Sequence, residues 1–183
     1  WKEGKLLNKK NTFRDYIATA NYLIETGYPR MDIILSSKFA YNKSVLKGSF
    51  SNKTEKYILY APTHRSEGKK ENNIFSYINF DKTNEILNEN KSILIIKLHY
   101  YELDKLFKKN DKEYSNIHFI NKNRASDINR ILYNIDLLIT DYSSVFYDYL
   151  VLDRPIIFFP FDLDKYQKID RALYQEYNSE VPG

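Results

Sequence analysis

Short unbroken apolar runs alternate with amphipathic stretches from residue 55 onward, and this alternation constrains the fold more than any other feature of the chain. Residues 57–61, 92–98, 116–120, 136–140 and 155–159 read as strands. Residues 80–90, 102–109, 126–134 and 144–152 read as helices. In the first helix Asp81 lies near the start, and Ile86 and Leu87 are expected to point inward. In the third, Ile128, Ile131, Leu132 and Ile135 share one face, with Ser126 at the N-cap position. Strands that are apolar throughout are buried on both faces, and their repetition with helices implies βαβ units and a parallel sheet. The expected fold class is therefore α/β: a doubly wound, Rossmann-like sheet covered by helices on both faces.

Residues 1–53 read differently. The segment 1–12 is polar and basic, 21–26 reads as a strand, and Gly27-Tyr28-Pro29-Arg30 is a turn signal. The Ser/Lys/Asn-rich segment 36–53 reads as a linker. So short and polar a segment cannot bury a core alone. Two units are expected: 1–53, a domain tail plus linker, and 54–183, the Rossmann-like domain. No internal repeat is visible.

Composition narrows the function classes. The 183 residues are 43% hydrophobic and 28% charged, a globular balance that excludes disorder as the main state. No apolar run approaches the roughly 20 residues that span a bilayer. Trp1-Lys2-Glu3-Gly4-Lys5 opens charged, so no signal peptide is expected. Without Cys there are no disulfides or thiolate metal sites. With 5 Gly, and neither GxGxxG nor GxxxxGK[ST], a glycine-rich phosphate loop is excluded. The 17 Tyr and 11 Phe would suit sugar or base stacking, though a coding bias toward Lys, Asn, Ile and Tyr explains them as well.

Ligands of open parallel sheets bind beyond the carboxyl ends of the strands. Pro62-Thr63-His64-Arg65, His99-Tyr100-Tyr101, Asn121-Lys122-Asn123-Arg124, Asp141-Tyr142-Ser143-Ser144 and Phe161-Asp162 stand at those ends, whereas the opposite ends carry ordinary turn residues. Asp141-Tyr142-Ser143-Ser144 lies between a strand and a helix, where unpaired N–H groups and two hydroxyls can cradle phosphate without glycine. A single Ser would serve as an N-cap; two exceed that need. His99, two residues after Lys97, could donate to a phosphate oxygen or transfer a proton. His64 and Arg65 form a donor pair, with Arg65 suited to a bidentate anion or to a salt bridge at the strand mouth. His118 falls inside a short strand and reads as structural. Asp162-Leu163-Asp164 matches a DxD pattern, but two carboxylates in three residues are a weak metal signal, and no metal is expected.

Together these motifs resemble the CDP-glycerol glycerophosphotransferase family, whose members polymerise teichoic acids and related capsule polymers. The resemblance rests on Tyr60-Ala61-Pro62-Thr63-His64-Arg65, Lys97-Leu98-His99, Leu138-Ile139-Thr140-Asp141-Tyr142-Ser143-Ser144-Val145, Leu152-Asp153-Arg154-Pro155-Ile156 and Asp162-Leu163-Asp164-Lys165-Tyr166. Gly27-Tyr28-Pro29-Arg30-Met31-Asp32 matches the family's GYPRND turn. The resemblance implies a GT-B architecture with the nucleotide on the C-terminal domain. It makes His99 the catalytic-domain His, and Ser143 and Ser144 the phosphate pair. It makes Asp141 the acidic residue opening that loop, and Arg65 the Arg of an APTWR-like motif. Tyr100 departs from the family's Pro, and His64 stands where Trp is common. The family's N-terminal His, expected as the general base, would lie upstream of Trp1, and the C-terminal domain reads as truncated.

The implied partners are a CDP-polyol donor and a growing polymer acceptor. The full protein is expected in the cytoplasm, peripheral on the inner face of the membrane, with no cofactor and no nucleic acid; this chain alone would bind donor but turn over little. Two other readings share the sheet: a GT-B glycosyltransferase using a sugar nucleotide, and a non-catalytic module binding nucleotide or anionic polymer. The net charge of +4 and the Lys-rich segment 105–112 would suit the latter.

Overall fold

The computed structural model describes residues 27–36, 56–65, 77–98, 113–120, 127–169 and 177. The expected strand at 21–26, nearly all of the 36–53 linker, the helix at 102–109, Ser126 and His99 lie outside them. Among the described residues five strands form one sheet: β1 (Lys56–Tyr60), β2 (Ser92–Ile96), β3 (Ile117–Phe119), β4 (Leu137–Thr140) and β5 (Ile156–Phe158). The order is β3-β2-β1-β4-β5, and every neighbouring pair is parallel. Successive side chains point to opposite faces of a strand, so β1 and β2 each feed two cores. Tyr57, Leu59, Ile93 and Ile95 enter one cluster, and Tyr60, Leu94 and Ile96 enter the other. All five residues of β2 are buried, which is why its sequence shows no alternation.

The described helices are α1 (Pro29–Leu35), α2 (Phe80–Glu89), α3 (Asn129–Leu132), α4 (Val145–Leu150) and α5 (Leu163–Ile169). Ile34 of α1, Ile131 and Leu132 of α3, and Phe146 and Tyr149 of α4 cover one face of the sheet. Phe80 and Leu87 of α2 cover the other. The parallel sheet with helices on both faces is the expected one.

Three local expectations are corrected. Leu87 points inward as expected, but Ile86 is 49% exposed; Phe80, seven residues before Leu87 on the 3.6-residue period, shares the sheet-facing side. The third helix is one turn, Asn129–Leu132, with Ile128 rather than Ser126 at its N-cap. The turn signal at Gly27 to Arg30 runs directly into α1: Gly27 takes φ 77°, and Pro29 occupies the first helical turn, where its missing N–H costs nothing. Helix α1 lies against α3 and α4, with Ile34 fully buried and Arg30 Nε 2.9 Å from Asp148 Oδ1.

Candidate functional site

The strand order reverses between β1 and β4, so the crevice beyond their carboxyl ends is the switch point at which open α/β sheets bind ligands. Among the described residues three of the sequence-identified segments meet there: 62–65, 141–144 and, through Arg65, 161–162. The Ala61 N–H donates to Ile139 O at 3.0 Å, and Thr140 Oγ1 donates to Ala61 O at 2.7 Å, so the strands leave the sheet still paired. Asp141 then ties the loops together. Its Oδ1 accepts from the Thr63 N–H at 2.9 Å, from Thr63 Oγ1 at 2.7 Å and from the Ser143 N–H at 3.0 Å. Its Oδ2 accepts from Arg65 Nη2 at 2.8 Å. With 0% exposure and these partners, Asp141 organises the loop from beneath.

Arg65 is buried as well. Its Nε and Nη2 reach Asp162 Oδ2 and Oδ1, both at 2.8 Å, and Nη1 donates to Thr63 O. This is the salt bridge at the strand mouth, doubled. Tyr142 Oη also donates to Asp162 Oδ1, at 2.8 Å. The guanidinium carbon lies 4.7 Å from the Tyr142 ring centroid, 5.1 Å from that of Tyr166 and 5.7 Å from that of Phe161. Burial pushes the Asp162 carboxyl up, but hydrogen bonds from Arg65 and Tyr142 and the guanidinium charge outweigh it, leaving Asp162 below the usual carboxylate range. Burial raises the Tyr142 phenol, and its bond to Asp162 adds to that, so Tyr142 is a fixed donor at any ordinary pH.

Ser143 is half-buried and Ser144 exposed. Ser144 is the N-cap of α4, yet its side chain makes no capping bond. Neither Ser hydroxyl is engaged by another described residue, which leaves both able to donate to a ligand. Helix α4 has six residues, so hydroxyls and loop N–H groups, more than a helix dipole, define the polar character here. His64 is exposed on the β1 loop. Lys97 leaves β2 half-buried; burial lowers its pKa, and Asp127 opposes that shift. His118 Nε2 lies 3.0 Å from Ser115 O, within its own strand-end turn. Among the described residues no group of three or more His, Asp or Glu side chains could hold a metal ion.

The sequence marked Asp162 as a polar residue at a strand's carboxyl end and as half of a weak DxD pattern, and attached no separate role to Tyr142. No local signal joins either to Arg65, because the Arg65–Asp162 contact spans 97 residues.

A model of the family described as CDP-Glycerol:Poly(glycerophosphate) glycerophosphotransferase matches residues 8–183. The chain belongs to that family. Within it, the chain is 35% identical over 179 residues to a teichoic acid poly(glycerol phosphate) polymerase of Bacillus spizizenii, covering 93% of this chain and 43% of the relative. It is 32% identical over 164 residues to the teichoic acid ribitol-phosphate polymerase TarL of Staphylococcus aureus, covering 88% of this chain and 28% of the relative. Among solved structures it is similar to the wall teichoic acid polymerase TagF, with TM-score 0.64 and 31% identity over 87% of this chain and 38% of that one. The glycerophosphotransferase relatives are thus more than twice as long as the stretch they share with this chain. The motif resemblance and the Rossmann-like, GT-B-type fold are both confirmed by these likenesses.

Proposed function

We propose that this chain is the donor-binding part of a transferase that moves a polyol-phosphate from a CDP-activated donor to the hydroxyl end of a teichoic-acid-like polymer, releasing CMP. Glycerol-phosphate is the preferred unit. The observation that carries the reading is the pair of hydroxyls, Ser143 and Ser144, that no described residue engages, at the sheet's switch point in a member of this family. The relatives' names are those of polyol-phosphate polymerases, and one TagF structure was soaked with CDPG.

In the proposed step the acceptor oxygen attacks the β-phosphorus and CMP departs, which demands positioning and charge stabilisation more than covalent chemistry. Ser143 and Ser144 hold the diphosphate, and His99 acts on the transferring phosphate. Thr63 and Asp141 shape the loop, and His64 offers a further donor beside it. Arg65 stands behind the loop, its charge offset by two carboxylates, so in this reading it braces the loop. Among the described residues no helix is long and apolar enough to cross a membrane. In this reading the complete protein works peripherally at the inner membrane face, on the growing polymer.

Calorimetry with CDP, CMP and UDP tests the cradle. Replacing Ser143 and Ser144 together by Ala is expected to weaken CDP binding at least about tenfold, the worth of one or two hydrogen bonds to a charged group. CDP binding indifferent to the double substitution removes the cradle. In the complete protein, His99→Ala is expected to lower transfer about a hundredfold or more; a loss of only a few-fold would take His99 out of the chemistry. Nucleoside diphosphate release in place of CMP would select sugar transfer.

A further inference from the structure

We propose that Asp162, in the loop after β5, is a positioning residue for the Ser143–Ser144 loop, acting through Arg65 and Asp141. The inference rests on the reading of that loop as the donor's diphosphate site. Three rigid links join the two segments. Asp162 receives two parallel N–H···O bonds from the Arg65 fork, each 2.8 Å. The same Nη2 donates to Asp141 Oδ2 at 2.8 Å, and Asp141 Oδ1 accepts the Ser143 N–H at 3.0 Å. A guanidinium is planar with its donors in fixed directions, so the place of Asp162 sets the tilt of Arg65, and that tilt sets Asp141. The rings of Tyr142, Phe161 and Tyr166 around Arg65 restrict the remaining freedom.

Other roles for Asp162 fit less well. Its oxygens already accept three hydrogen bonds, leaving about one of a carboxylate's four acceptor sites, and the guanidinium beside them repels a cation. The cluster of two carboxylates and one guanidinium is net negative and cannot itself attract a diphosphate. What it can do is hold a geometry. Asp162 stands at the foot of α5, so the linkage makes the phosphate loop depend on a segment separated from it by β5.

The test uses the full chain, with CDP titrations and amide hydrogen exchange on wild type, Asp162→Asn, Tyr142→Phe and Asp164→Asn. For Asp162→Asn, exchange at the Ser143 and Thr63 amides is expected to quicken about tenfold while Ile95 and Leu138 stay protected, since only a local opening is eased. CDP affinity should fall about tenfold in the same variant, with or without magnesium. Tyr142→Phe, which removes one hydroxyl, should move both readouts the same way by about threefold. Asp164→Asn should move neither. Wild-type exchange at Ser143 in Asp162→Asn overturns the linkage, as does unchanged CDP affinity or an affinity loss confined to magnesium. Should Asp162→Asn not fold, an indifferent Tyr142→Phe overturns it. A wild-type chain that does not bind CDP overturns the donor-site reading itself.

Discussion

Two buried carboxyls on this chain titrate in opposite directions. The Asp162 carboxyl is held below its ordinary 3.8, with burial outweighed by bonds from Arg65 and Tyr142. Its contribution to stability is complete above that ordinary value and is lost as pH falls through the lower folded one. The Asp148 carboxyl is raised, mainly by burial and against the pull of Arg30. Its contribution is present below 3.8 and is lost as pH rises through the higher folded value. Relative to wild type, Asp162→Asn should be most destabilised at neutral pH, with the deficit shrinking below pH about 4, while Asp148→Asn should gain relative stability as pH rises above about 4. Denaturant midpoints measured across that range check both trends; parallel trends would contradict the assignment. At this scale the sequence marked Asp141, Ser143 and Ser144 because they follow a strand and precede a helix. It could not mark what Asp162 touches, since hydrogen-bond partners 97 residues apart are joined only by the sheet.

Among the elements, strands were more legible than helices. A strand buried on both faces needs a run of apolar residues, and β1, β2 and β4 each carry one. Helix faces depend on phase, and one residue of error turns a side chain by about 100°. Helix α2 shows it. Asn79 caps the helix, its side chain accepting from the Lys82 N–H at 3.1 Å, and the face that follows buries Leu87 and leaves Ile86 outside. Leu87→Ala should cost about 2–5 kcal/mol by opening a cavity. Ile86→Lys should stay within about 0.5 kcal/mol of wild type. Equal costs in chemical denaturation would reverse the assigned faces.

At the scale of the whole molecule, the helix at 29–35 matters most. The sequence groups it with the polar first 53 residues, yet Ile34 is fully buried in the core formed by β1, β2, α3 and α4. A chain beginning at residue 54 should therefore lose cooperativity or melt several degrees lower than one beginning at residue 27, because removing α1 uncovers that core. Identical thermal midpoints would return the boundary to residue 54.

Fold class, family and the five described strands could be read without coordinates. These rest on hydrophobic period and short contiguous motifs, and both are local. The sequence also placed Thr63, Arg65, Asp141, Ser143 and Ser144 at carboxyl ends of strands. Which ends meet and which side chains turn inward became visible in three dimensions alone. Putting β1 beside β4 brought Asp141 under both loops and Asp162 onto Arg65, and so chose the salt bridge of the two roles the sequence left open for that cation. The reason is physical: a charge's role depends on what surrounds it in space, and the order of residues along the chain does not contain that directly.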